Sequence, residues 1–220
     1  MTEKGLHIEV YSDVVCPWCY VGKRRLERAL TEFGGAARIA WRPFQLNPTM
    51  PKDGMDRTAY LEAKFGSLDS FRQLEEHVLA AGASERIAFA FEKIARAPNT
   101  FLAHRLIWLA EREGCQDAVV TSLFRGYFEE GAEIGTIATL IRLAERAGLS
   151  KEVAERVLQS EEGTAEVKAE EAAGHALGIR GVPYFLVNGT YAISGAQPVE
   201  TFVSALKRVA VDHTERKAGV

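Results

Sequence analysis

The chain has 220 residues, 47% of them hydrophobic, and is long enough to bury a substantial core. Its 27 basic and 30 acidic residues are mixed along the chain and give a formal charge of -3, so we expect no nucleic-acid partner. No apolar stretch reaches the roughly 18 to 20 residues of a membrane helix, and the polar N-terminus lacks the apolar core of an export signal. We therefore expect a cytoplasmic protein without a membrane partner.

The N-terminal part of the chain predicts a strand, a helix and a second strand. Apolar and polar residues alternate from Leu6 to Val10, which is typical of a strand with one buried face. A helix is predicted from about Pro17 to Phe33, where a Gly-Gly pair ends it. The extended run from Arg38 to Phe44 predicts the second strand.

The rest of the chain predicts a helical block followed by a hairpin and a closing helix. Apolar residues recur at helical spacing through residues 56–177, and residues 184–193 read as two strands joined by Asn188-Gly189. A final helix begins near Pro198. This order predicts the α/β class: a thioredoxin-like fold formed by residues 1–50 and 178–220, with a large all-helical insertion formed by residues 51–177.

The chemistry of the chain centres on Cys16 and Cys19, which Pro17 and Trp18 separate. Because the first strand runs into the first helix here, Cys16 stands at the helix N-terminus beside backbone N–H groups without intrahelical partners. Their dipoles favour a thiolate at Cys16, the reactive form in thiol–disulfide exchange. Cys19, one turn along, can attack a mixed disulfide on Cys16 and release the partner. Pro17 suits the first helical turn because it has no N–H to lose.

Two other uses of a close cysteine pair are disfavoured. A zinc site needs four ligands, and neither Cys115 nor the five histidines supply a second close pair at finger-like spacing, so no metal is expected. A purely structural disulfide across so short a loop constrains little chain entropy and does not persist in a reducing compartment. Cys115 has no neighbouring cysteine and is interpreted as a small buried apolar residue.

Three segments of the chain resemble a known family. They are residues 11–22 around the Cys-Pro-Trp-Cys sequence, the tripeptide Gly181-Val182-Pro183, and Ser194-Gly195-Ala196-Gln197. Together they look like the DsbA-like thioredoxin family, specifically its FrnE-type branch of dithiol-disulfide isomerases and oxidoreductases. The resemblance covers nearly the whole chain, including the helical insertion. Unlike some members of that branch, this chain has no additional cysteine pair near its C-terminus.

The resemblance implies further properties of the site. It implies that Pro183 is cis and stands beside the cysteine pair, and that Val182 offers its backbone to an extended substrate. It implies protein or small-molecule thiols and disulfides as partners, a polyketide-type small molecule among them, and glutathione as a co-substrate in place of a bound cofactor. Whether the chain is a monomer or a homodimer stays open.

Two residues beside the cysteines have alternative roles. Asp13, three positions before Cys16, could accept or relay a proton, or it could simply organise the turn before the helix. Trp18 offers a substrate a flat apolar surface and cannot supply the positive charge that a histidine would, which predicts a less oxidising protein.

A second cluster, Asn99, Thr100 and His104, lies at the start of a predicted helix in the insertion. In the related kappa-class glutathione transferases and chromene-carboxylate isomerases the helical domain helps to form the ligand cleft. We therefore expect these residues on one wall of a substrate groove above Cys16. The alternative is that Asn99 or Thr100 caps the helix and that His104 is an ordinary residue of the surface or the edge of the core.

Three functions remain in competition. The leading hypothesis is a thiol-disulfide oxidoreductase. The second is a glutathione-dependent isomerase or kappa-like transferase, although those relatives typically have serine at the position of Cys16 and lack the second cysteine. The third is a redox-silent module that binds a peptide or polyketide in the groove near Trp18 and Pro183.

Overall fold

The computed structural model describes residues 5–218, so the outermost residues of the two predicted thioredoxin-like segments lie outside the described part. The strands are β1 (Leu6–Ser12), β2 (Ala37–Pro43), β3 (Met55–Asp56), β4 (Arg96–Ala97), β5 (Tyr184–Val187) and β6 (Tyr191–Ser194). The helices are α1 (Pro17–Phe33), α2 (Arg57–Phe65), α3 (Leu68–Ser84), α4 (Phe101–Arg112), α5 (Gln116–Phe128), α6 (Ile137–Arg146), α7 (Lys151–Leu158), α8 (Thr164–Ala176) and α9 (Val199–Ala218).

The main sheet has the strand order β2-β1-β5-β6. Strand β1 is parallel to β2 and antiparallel to β5, so helix α1 supplies the crossover that a parallel pair needs. Strands β5 and β6 form the predicted hairpin, with φ values of 51° at Asn188 and 68° at Gly189 in its turn. Because Val187 pairs with Tyr191, the loop has three residues, 188–190, and not the two that the sequence predicted. Val10 of the central strand pairs with Trp41 on one side and Phe185 on the other, and it is fully buried.

Helix α1 agrees with its predicted bounds because both ends carry clear signals. Pro17 occupies the first helical position. At the other end Gly34 has a φ of 69° and its N–H donates to the Leu30 carbonyl oxygen, which stops the helix. Helix α9 packs against α1, so the closing helix helps to hold the helix that carries the cysteines.

The insertion adds helices α2 to α8 and packs against the edge of the sheet, where α8 contacts β2. Buried residues of the sheet domain, such as Val10 and Leu26, belong to the same hydrophobic cluster as Leu106 and Leu140 of the insertion. The expected thioredoxin-like fold with a helical insertion is therefore confirmed. The insertion boundaries at residues 51 and 177 fall in turns and stay a prediction.

The insertion also contains a short ribbon that the sequence did not predict. Strands β3 and β4 pair antiparallel over two residues each, with Met55 opposite Ala97. Two residues are too few to produce a visible alternation of apolar and polar side chains. Among residues 5–218, no helix is long and apolar enough to cross a bilayer.

Candidate active site

The two cysteines lie in and just after the turn that joins β1 to α1. Cys16 is the N-cap residue of α1, and its N–H donates to the Asp13 carbonyl oxygen at 3.0 Å. Its side chain makes no capping bond to the helix; instead the thiol donates to the Val182 carbonyl oxygen, 3.6 Å away. Cys16, Cys19 and Cys115 are all free thiols.

Cys19 occupies a different environment from Cys16. It is fully buried, whereas Cys16 lines a groove. Burial raises the pKa of the Cys19 thiol, and the hydrogen bond and charge interaction with Cys16 raise it further. Hydrogen bonding with the Ser12 side chain and the Asp13 backbone opposes this rise but does not cancel it. Cys16 is therefore the cysteine in contact with the groove, and Cys19 lies behind it as a protonated thiol.

Val182 and Pro183 stand beside the pair, as the family resemblance implies. The Val182–Pro183 peptide bond is cis, which confirms the expectation for Pro183. Pro183 packs against α1 so closely that a Cβ atom on Gly22 would lie 3.0 Å from its Cγ atom. The Pro183 carbonyl oxygen also accepts from the N–H of Gly195 at 2.8 Å.

The Ser-Gly-Ala-Gln segment after β6 has a structural role that the sequence did not reveal. The Arg25 guanidinium of α1 donates to the Ala196 carbonyl oxygen at 2.6 Å and to the Glu85 carboxylate at 3.0 Å. Together with the bond from Gly195 to Pro183, these contacts connect the end of the hairpin, the cis-proline and α1. The segment thereby helps to fix Pro183 against the helix that carries Cys19.

A groove with a volume of about 500 Å³ opens over Cys16. Trp18 is 37% exposed and forms one side, and helices α2 and α3 form much of the other. The lining is mainly apolar and includes Leu46, Leu61, Phe65, Phe71, Leu74 and Val78. Such a surface binds the apolar part of a ligand next to the Cys16 thiol.

Polar groups are also present in the groove. The Lys64 ammonium group donates to the Tyr60 hydroxyl oxygen at 2.7 Å and to the Asn47 amide oxygen at 3.2 Å. Glu75 lies farther along the groove, where burial raises the pKa of its carboxyl group against the opposing charges of Arg57 and Arg72. The groove therefore combines a broad apolar surface with an ordered cationic group.

The expected groove wall at Asn99, Thr100 and His104 is wrong, since none of the three lines the groove. Asn99 precedes α4, where its Oδ1 atom accepts from the Phe101 N–H at 2.9 Å, which is the capping alternative. Thr100 and His104 are buried at 4% and 3% exposure because this face of α4 points into the core. Sequence spacing could not distinguish the apolar groove residues of α2 and α3 from ordinary core residues.

Asp13 is fully buried below the turn, and its Oδ2 atom accepts from the Leu46 N–H at 2.8 Å. With the bond from Cys16 to its carbonyl oxygen, these contacts support the interpretation that Asp13 organises the turn. A role in accepting or relaying a proton stays a prediction. The structure also places Asp13 beside His104, a contact that the sequence did not suggest.

Cys115 lies apart from this site, at the N-cap of α5, and is partly rather than fully buried. Burial raises the pKa of its thiol, which makes it a weak nucleophile at neutral pH. Across the described part of the chain, no group of three or more His, Cys, Asp and Glu side chains is arranged to hold a metal ion.

Known proteins resemble this chain in sequence and in fold. A sequence model of the DSBA-like thioredoxin domain matches residues 7–207. The chain is 35% identical to a probable DsbA oxidoreductase from Streptomyces coelicolor, with a TM-score of 0.85 over 92% of this chain and 89% of that one. It is 29% identical over 204 residues to the uncharacterized protein YwbO of Bacillus subtilis, covering 91% of this chain and 96% of YwbO.

A more distant structure shares the fold. The cytosolic disulfide reductase DsbM from Pseudomonas aeruginosa, solved with GSH, has a TM-score of 0.66 at 17% identity, over 92% of this chain and 98% of that one.

Proposed function

Since the chain belongs to the family of DSBA-like thioredoxin domains, we propose that it is a thiol-disulfide oxidoreductase with Cys16 as the nucleophile and Cys19 as the resolving thiol. The observation that carries the proposal is the unequal placement of the two thiols. Cys16 borders the groove, and Cys19 is fully buried one helical turn behind it, with its pKa raised by burial. A substrate therefore meets Cys16 first.

The proposed reaction proceeds in two exchanges. The Cys16 thiolate attacks one sulfur of a substrate disulfide, the substrate S–S bond breaks, and the departing sulfur takes up a proton. Cys19 then loses its proton and attacks the sulfur of Cys16. A Cys16–Cys19 disulfide forms, and the second substrate sulfur leaves as a thiol. The substrate gains two electrons from the protein. One proton comes from Cys19, and the other, taken up from solvent, replaces the one that Cys16 released on forming its thiolate. The reverse sequence oxidises a dithiol substrate.

The groove supports a substrate with an apolar part. Trp18 and the aromatic residues Phe65 and Phe71 offer flat surfaces within the same groove as Cys16. The proposal covers protein thiols and disulfides as well as small molecules of the polyketide type. The Val182 carbonyl oxygen, 3.6 Å from the Cys16 sulfur, could accept a backbone N–H of a bound peptide.

The assignment to the FrnE-type branch, with its Cys-Pro-Trp-Cys pair, is part of the proposal. So are a cytoplasmic location and glutathione as a co-substrate. The fold shared with DsbM, a cytosolic disulfide reductase solved with GSH, supports these last two. No bound cofactor enters the proposed reaction, because the cysteine pair itself carries the electrons.

A thiol count after oxidation tests the proposal. Reduced protein is incubated with excess glutathione disulfide, and free thiols are then counted. The wild type should lose two of its three thiols, and the Cys115→Ala variant should lose both of the thiols that remain. In Cys16→Ala the thiol count should show that Cys19 stays a free thiol, because it has no partner for an internal disulfide. A wild-type protein that keeps all its thiols, yet binds apolar ligands in the groove, would instead be the redox-silent binding module.

The same assay addresses the glutathione-dependent isomerase or transferase. That alternative needs glutathione bound as a thiol and needs no second cysteine. Its activity should therefore survive Cys19→Ala, whereas multiple turnover of the proposed oxidoreductase should not.

A further inference from the structure

Two buried polar side chains face each other beneath the cysteine pair. The Nε2 atom of His104 lies 3.4 Å from the Oδ1 atom of Asp13, and their side chains are 2% and 0% exposed. Within the described part of the chain, neither atom has a hydrogen-bond partner of good geometry. Burying a carboxylate oxygen and an imidazole nitrogen without partners is costly, so each is the natural partner of the other.

Asp13 is directly connected to the reactive turn, which we call the redox turn and define as residues 13–16. Its carbonyl oxygen accepts the N–H of Cys16 at 3.0 Å, and the Cys16 carbonyl oxygen accepts the N–H of Cys19 at 3.0 Å. Its Oδ2 atom accepts from Leu46, which follows β2. Any group that holds the second carboxylate oxygen of Asp13 therefore also restrains the residues that present both thiols.

His104 is itself held firmly on the insertion side. The backbone N–H of His104 donates to the Thr100 carbonyl oxygen at 3.0 Å in the first turn of α4. The Thr100 hydroxyl oxygen in turn accepts from the side-chain amide of Gln45 at 3.4 Å. Gln45 directly precedes Leu46, whose N–H donates to Asp13. The imidazole thus projects from a fixed helix end toward the redox turn.

The Asp13 carboxylate belongs to the same turn as Cys16, three positions before it in the chain. A buried carboxylate near a thiolate repels it, whereas an N–H donor directed at the carboxylate disperses that charge. Tyr127 of α5 also interacts with Asp13, since the pKa of Tyr127 is raised by burial and further by the charge of Asp13. Tyr127 cannot replace His104 as the donor to Asp13, because its hydroxyl group donates to the Arg96 carbonyl oxygen at 3.4 Å.

We propose that His104 is a positioning residue for the redox turn: from helix α4 it holds the carboxylate of Asp13, and it thereby sets the reactivity of Cys16. The biological meaning of this role rests on the proposed function. Its test does not, because alkylation of Cys16 requires no partner protein. A loss of thiol-disulfide exchange and a loss of the His104 effect are therefore distinguishable.

The test compares two side chains of similar length at position 104. His104→Gln keeps an N–H donor, and His104→Met does not. The rate of Cys16 alkylation by iodoacetamide at neutral pH is measured on the folded reduced protein, with the labelled cysteine identified by peptide mass. His104→Met should slow alkylation about tenfold because the carboxylate of Asp13 is left unpaired near the thiolate. His104→Gln should stay within about twofold of the wild type. His175→Leu, at an exposed histidine of α8, is the matched control.

A double-mutant cycle shows whether His104 acts through Asp13. Asp13→Asn alone should speed alkylation about threefold because it removes the negative charge, and His104→Met in that background should change the rate less than about twofold. Equal slowing by His104→Met in both backgrounds would overturn the proposal, as would an unchanged rate in His104→Met. If His104→Met fails to fold, Asp13→Asn decides: an alkylation rate equal to or below that of the wild type contradicts the proposal.

Discussion

The Cys16 thiol donates to the Val182 carbonyl oxygen over 3.6 Å, although the two residues are 166 positions apart in the chain. This hydrogen bond exists only while Cys16 carries its proton. When Cys16 becomes a thiolate or enters a disulfide, the Val182 carbonyl oxygen loses its donor and becomes available to another N–H group. Under the proposed function a bound peptide backbone is such a donor, and we expect peptide binding at Val182 to depend on the redox state of Cys16.

Both thiols are buried, but Cys16 borders the groove at 5% exposure and Cys19 is fully enclosed, and this difference predicts their order of reaction. At neutral pH, iodoacetamide should label Cys16 at least about tenfold faster than Cys19, because burial keeps Cys19 protonated. Cys19→Ala should accumulate a mixed disulfide with a thiol-reactive substrate, since nothing resolves it. Peptide mass spectrometry measures both results, and Cys115→Ala serves as the control that leaves them unchanged. Faster labelling of Cys19 would reverse the assigned roles.

The raised pKa of Cys19 also predicts how stability depends on pH. Above about pH 8.5 the unfolded chain loses the Cys19 proton, whereas the folded reduced protein keeps it. The folded state then binds more protons, so its stability falls as pH rises, by at most about 1.4 kcal/mol per pH unit from this thiol. The stability contribution is fully present below that pH. Urea unfolding of the reduced protein at pH 7.5 and 9.5 measures it.

The reference for that experiment is Cys19→Ala, which lacks the thiol. Its unfolding midpoint should fall less between the two pH values than that of the wild type. The buried tyrosines affect both proteins equally and cancel in the comparison. An identical fall in both proteins would show that Cys19 is not the group responsible.

The exposed indole of Trp18 should contribute to substrate binding rather than to redox chemistry. Trp18→Ala should raise KM for an aromatic disulfide about tenfold, since losing this apolar contact costs roughly 1.4 kcal/mol. The KM for glutathione disulfide, which has no aromatic group, should change much less. Leu177→Ala removes an even more exposed apolar side chain, 58% against 37% for Trp18, from outside the groove and should alter neither value. The prediction fails if both substrates are affected alike by the Trp18 change.

The close approach of α1 to Pro183 predicts that Gly22 cannot be enlarged without cost. A Cβ atom there would lie 3.0 Å from the Pro183 Cγ atom and 3.1 Å from the Phe185 Cζ atom, and Phe185 is fully buried. Gly22→Ala should lower the free energy of unfolding by about 1–2 kcal/mol in spite of the better helix propensity of alanine.

Gly181→Ala is the matched control, because among the described residues other than its own chain neighbours no heavy atom lies within 4 Å of its added Cβ. It should change stability by less than about 0.5 kcal/mol. Thermal or urea unfolding measures both variants. Equal stability of Gly22→Ala and the wild type would mean that Pro183 can move away from α1 at little cost.

The sequence by itself determined the features that depend on local chemistry. Pro17 and the glycines at the end of α1 set its bounds, and Asn188-Gly189 set the hairpin, because caps and turns depend on the φ angles that a few adjacent residues prefer. The position of Cys16 at the helix start followed from the same reasoning. Family resemblance added Pro183, whose cis form no local rule could have required.

Only the tertiary structure decided which residues surround the cysteines. His104 was expected on the groove wall and lies in the core against Asp13, whereas Leu74, which the sequence did not single out, is 51% exposed in the groove lining. Helical periodicity identifies residues that share a face of a helix. It does not say whether that face meets the core or a groove, because the answer depends on how α2, α3 and α4 pack on segments distant in the chain.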